Sequence, residues 1–127
     1  GLGEVSHAVS ESSRYKFEIL QALIENHGVS TIFFEIPYSK GLKVNEYVQG
    51  TPNSQAIKGL LGPLDTKEVH DLIEFLKDLN DRRRRGGGVP VSFIGIDVKP
   101  DQDLWDRVAA AVPHSDQNAK KAQADSQ

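Results

Sequence analysis

The sequence predicts an α/β fold, a small parallel sheet flanked by helices, and three observations carry that prediction. Two apolar runs of strand type, VSTIFFEI over residues 29–36 and VPVSFIGIDV over 89–98, are rich in β-branched and aromatic residues. Amphipathic stretches of helical period lie before, between and after them. A short GLG stub leads the first helix, so the order is strand stub, helix, strand, helices, strand, helix, the alternation that builds right-handed βαβ units.

Residues 10–27 place Tyr15, Ile19, Leu20, Leu23 and Ile24 at helical spacing, with Ser10 or Ser12 able to cap the start and Gly28 suited to end it. The run 29–36 is nearly continuously apolar and closed by Pro37, which predicts a central parallel strand buried on both faces. Residues 38–48 and 54–61 read as short helices separated by GTPNS, with Gly41, Gly59 and Gly62 weakening them, and together they are expected to form a flexible cover.

From Asp65 the helical signal strengthens. Asp65 and Glu68 form a capping-box variant, and Val69, Leu72, Ile73, Leu76 and Leu79 trace one face to about Arg82. RRRRGGG (82–88) then leads into the second strand run, which Pro100 ends, and Asp101 caps a last short helix through Val112. Residues 113–127 have no apolar face to bury and are expected to form a disordered tail.

The 127 residues fit one domain, and 38% hydrophobic with 26% charged residues is ordinary for a globular chain. A formal charge of −3 offers no general attraction to nucleic acid or to an anionic membrane. No apolar stretch approaches the roughly 20 residues that span a bilayer, and no signal peptide opens the chain, so a cytoplasmic location is expected. The absence of cysteine excludes disulfides, thiolate metal sites and a Cys nucleophile. The chain opens on GLGE rather than Met and enters motif-like sequence at once, which points to a fragment of something longer.

In open parallel sheets ligands bind outside the carboxyl ends of the strands, so polar residues there are the first candidates. Glu4 follows the stub, Glu35 closes the FFE run and Asp97 closes FIGID, while His7 lies one short loop beyond Glu4. Carboxylates near an imidazole raise its pKa and select one tautomer, as a general base requires. A lone carboxylate between FF and IP is costly to bury without a partner, which favours a functional Glu35. His7 reads equally well as a loop or N-cap residue, and Glu4 and Asp97 as acceptors that hold loops.

Lys16 reads as a solvated helix lysine unless its loop folds back toward the strand ends. His27 and His70 sit on amphipathic stretches and form no HxxxH or HExxH pair. The Arg82 to Arg85 run can bind an anion, though a helix end complementing the dipole explains it equally. No GxGxxG, P-loop or GxSxG pattern occurs.

Together GLGEVSHAVSE, the STIFFEIPY strand, N-EYV-G, the LIEFLKDLN helix and FIGID resemble the erythromycin esterase family, over residues 1 to about 108. The chain departs in its long RRRRGGG loop and in Val5-Ser6 within the first motif. The resemblance implies an α/β enzyme of several hundred residues in which residues 1–112 form part of the catalytic domain. By motif position His7 is the general base that activates water and Glu35 the glutamate of the next strand. Lys16, nine residues after His7, holds the substrate or the carboxylate network, and Glu4 and Asp97 belong to the motifs in supporting roles. The family's further catalytic histidines lie beyond this chain, and His114 is in the wrong context to replace them.

The implied activity is hydrolysis of an ester or macrolide lactone, which in this family confers antibiotic resistance, with a small-molecule ester as substrate and no cofactor or metal. Two competing classes stand beside it: a non-catalytic module of related fold binding haem or a metal, and an inactive truncated fragment. Nothing in the sequence sets an oligomeric state.

Overall fold

The computed structural model describes residue 2, residues 10–52, residue 57, residues 59–99 and residues 101–112, with no description of the side chains of 10–13. Along this span run α1 (Ser10–Asn26), β1 (Thr31–Pro37), α2 (Tyr38–Val48), a 3-10 turn (Gly62–Leu64), α3 (Lys67–Gly86), β2 (Ser92–Asp97) and α4 (Gln102–Ala111). β1 and β2 pair in parallel, Thr31 opposite Ser92 and Phe34 opposite Gly95. The expected strand stub, like the tail at 113–127, lies outside the described residues, so the described sheet has two strands rather than three.

The core forms on one face of this sheet. Ile32, Ile36 and Phe93 meet Val69, Leu72, Ile73 and Leu76 from α3, Val44 and Val48 from α2, and Ile24 from α1. The helical period of α3 delivers these side chains to one face, and burial of each stabilises the fold by about 1.5–3 kcal/mol. The expectation of a strand buried on both faces is corrected: Phe33 is 64% exposed and Ile96 53% exposed. Side chains alternate along a strand, and no described element covers this second face.

Local chemistry also moves several boundaries. Thr66, not Asp65, caps α3 by accepting from the Val69 amide at 3.4 Å, because Asp65 is turned to the Gly59 amide (3.3 Å) and to His70. α3 continues through all four arginines and stops at Gly87, whose φ of +76° suits a residue without Cβ. The arginines are therefore helical. Arg83 donates to the carbonyls of Ile24 (2.9 Å) and Val89 (3.0 Å), and Arg84 to that of Gln49, so these two brace neighbouring segments. The helix expected at 54–61 is replaced, where described, by turns at residues 57, 59 and 60, followed by the 3-10 turn.

The outer edge of β2 is closed by amide side chains. Asn80, fully buried, donates to the carbonyls of Val91 (2.8 Å) and Val48 (3.0 Å) and accepts from the Val91 amide (2.7 Å). Asn45 accepts from the Phe93 amide at 2.9 Å, and Gln49 donates to the Val91 carbonyl at 2.9 Å. The sequence steps Gly41 and Asn45 on α2 and Gln49 at its C-cap match the steps Gly95 and Phe93 on β2 and Val91 just before it, because four helical residues rise about 6 Å and two strand residues about 6.6 Å. The Phe93 amide and the Val91 backbone groups, which another strand would otherwise pair, are thus satisfied from within.

Candidate active site at the carboxyl ends of the strands

A parallel pair sends both strands out at the same end, and here that end carries two carboxylates. Glu35 from β1 and Asp97 from β2 line one cleft of about 400 Å³ with Pro37, Lys40, Lys99 and the 60–64 segment. The pairing shifts between Phe34 and Pro37: Phe34 faces Gly95, while Pro37, three residues on, faces Asp97, two residues on. One extra residue on β1 is a bulge, and bulges re-aim side chains where strands end near sites. Glu35 lies inside it.

Gly95 in FIGID is required by packing at this turn. A Cβ there would stand 2.6 Å from the Pro37 carbonyl oxygen and 2.7 Å from that of Ile36. The last turn of β1 therefore crosses directly over β2 before α2 begins.

The charges at the mouth are mixed. The Lys99 ammonium lies 3.6 Å from Asp97, and because Lys99 is largely exposed this pair adds little stability. Glu35 is itself exposed, so the cost of burying a lone carboxylate, which singled it out in the sequence, does not arise in the described fold. Its place at the strand end stands, on the cleft lining rather than in the core.

Behind the cleft the two strand exits are joined. Pro37 is both the last residue of β1 and the N-cap of α2, so no loop separates strand from helix, and no side chain caps the first turn. Ser39, 2% exposed, donates its hydroxyl to one oxygen of Asp101, whose other oxygen accepts from the Leu104 amide at 2.9 Å and caps α4. The Ser39 hydroxyl first, then the Leu104 amide, with Lys40 and Lys43 nearby, hold the Asp101 carboxyl below its ordinary range. Lys43 pairs with Asp103, and Arg107 with Glu46 at 3.2 Å, continuing the polar seam between α2 and α4.

Of the residues singled out from sequence, Glu35 and Asp97 come together, whereas Glu4 and His7 lie outside the described residues. Lys16 is on α1 and is not part of the described cleft lining. His70 is engaged with Asp65 on the flank of α3. Among the described residues no group of three or more His, Cys, Asp or Glu is arranged to hold a metal ion, and no helix is long and apolar enough to cross a membrane. Sequence reasoning missed Lys40, Lys99 and the Ser39–Asp101 bond. The two lysines were within reach of the strand-end rule, each lying within five residues of a strand acid.

The erythromycin esterase family model matches residues 24–127, a span that holds Glu35 and Asp97 and begins after His7 and Lys16. The crystal structure of a succinoglycan biosynthesis protein superposes with a TM-score of 0.73 at 32% identity, covering 93% of this chain and 30% of that one. The chain thus spans about three-tenths of that protein's length. Among curated proteins none matches the sequence.

Proposed function

Because this chain belongs to the erythromycin esterase family, we propose that it supplies part of a hydrolytic centre in which His7 activates water for attack on an ester or macrolide lactone. The observation that carries this reading is the convergence of Glu35 and Asp97 on one cleft at the carboxyl ends of adjacent parallel strands. That is where open α/β sheets place ligands.

In the proposed reaction the water oxygen attacks the ester carbonyl carbon while His7 takes its proton. Collapse of the tetrahedral intermediate breaks the carbon–oxygen bond to the alcohol, which leaves with that proton. Glu35 stabilises the imidazolium and fixes its tautomer. Positive groups at the same mouth, the Lys40 ammonium and the uncapped amides at the start of α2, favour the oxyanion. In a resistant host the substrate is a macrolide, and ring opening inactivates it.

Ester hydrolysis by the intact protein, measured with wild type, His7→Ala and Glu35→Gln, tests this. General-base catalysis contributes about 10²–10⁴-fold, so kcat is expected to fall by at least about 100-fold in each variant. Turnover unchanged in His7→Ala removes the imidazole from the mechanism.

A further inference from the structure

Resting on that reading, we infer that Ser39 and Asp101 are positioning residues, whose bond holds the exits of β1 and β2 together so that Glu35 and Asp97 present their carboxylates to one cleft. Ser39 lies four residues after Glu35, and Asp101 four after Asp97, so the bond closes a short bracket behind the two acids. The arm from Glu35 to Ser39 is stiff. β1 passes into α2 through Pro37 with no intervening loop, and Gly95 lies under the carbonyls of Ile36 and Pro37 with no room to yield.

On the other arm Asp101 has two tasks at once, accepting from Ser39 with one oxygen and from the Leu104 amide with the other. The start of α4 is thereby tied to the start of α2. α4 buries no residue completely, and this bond with the flanking ion pairs links it to α2. Without the bond the pairing of Pro37 with Asp97 still keeps the strands adjacent, but the chain after Asp97 loses its tie to the start of α2, and the aim of the Asp97 carboxylate relative to Glu35 is no longer held. A displacement of about 1 Å in a catalytic group can lower a rate by about 100-fold.

The test compares the intact wild-type protein with Ser39→Ala, which deletes the donor, Ser39→Thr, which keeps it, and Asp101→Asn, which keeps a helix cap but weakens the acceptor. We expect Ser39→Ala to lower kcat at least about tenfold with KM within about twofold, and Ser39→Thr to recover most of the loss. Carbon-13 titration of the side-chain carboxyls of Glu35 and Asp97 gives a readout independent of catalysis: their resonances shift in Ser39→Ala and Asp101→Asn, and return in Ser39→Thr. Unmoved resonances, or a loss of activity that only follows loss of folded protein in a thermal melt, overturn the inference. If wild type hydrolyses no ester, the proposed function fails while the resonances still decide whether the bond positions the two acids.

Discussion

Gly41 packs directly on the backbone of Gly95, with a Cβ on Gly41 falling 2.2 Å from the backbone nitrogen of Gly95. Neither position has a flexible neighbour to give way, because the nearest atoms on both sides are backbone. Gly41→Ala and Gly95→Ala are each expected to destabilise the chain by about 3 kcal/mol or more, the upper end of overpacking costs. Urea denaturation checks this. A loss below about 1 kcal/mol in Gly41→Ala means that α2 lies farther from β2 than described, and in Gly95→Ala that the end of β1 does.

Asn80 makes three hydrogen bonds in a site closed to water. Replacing it with Ala leaves the Val91 amide buried and unpaired, at an expected cost of about 3 kcal/mol from desolvation and lost packing. The same variant should speed hydrogen exchange at Val91 far more than at Ser92, whose amide stays bonded to the Ser30 carbonyl at 2.8 Å. Equal acceleration at both would indicate global rather than edge opening.

Two groups set limits on the pH range of stability. Asp101 has a depressed folded pKa, so its contribution is present above the ordinary value of 3.8 and is lost as pH falls through the folded value. Tyr47 is raised to about 12, by burial first and then by the hydrogen bond to Glu74 at 2.8 Å, so its contribution is complete below pH 10 and is lost as pH rises toward 12. Asp101→Asn should flatten the acid limb below about pH 4 and Tyr47→Phe the limb between 10 and 12, each read from melting temperature against pH. Limbs of unchanged slope would show that neither group is linked to folding as described.

Phe33 and Phe93 lie on opposite faces of the sheet. Phe93 is buried against Phe34, ring centres 5.3 Å apart, while Phe33 faces outward. In this chain Phe93→Ala is expected to cost about 3–5 kcal/mol, and Phe33→Ser within about 0.5 kcal/mol. A large cost at Phe33 in denaturant titrations would reveal cover on the outer face beyond the described residues.

The sequence by itself determined α1, both described strands, the helix starting at Tyr38, α3 and the Asp101 cap, because each rests on local rules, while its separated motifs carried the family resemblance. Pro37 closes a strand, a 3.6-residue period marks α3, and an Asp accepts the amide three residues on. Glu35 and Asp97 were also legible as strand-end acids, since parallel pairing carries both to one end. Only the tertiary structure decided what depends on contacts between distant segments. A run as apolar as VSTIFFEI looks the same whether one or both faces are covered, so the exposure of Phe33 was hidden. Thr66 took the cap because Asp65 was drawn to Gly59 and His70. RRRR continued α3, with Arg83 and Arg84 reaching segments tens of residues away. The Ser39–Asp101 bond spans 62 residues and has no local signature. It exists because a bulge, a loopless strand-to-helix turn and the close approach of Gly41 and of the Ile36 and Pro37 carbonyls to Gly95 bring the two strand exits to the same place.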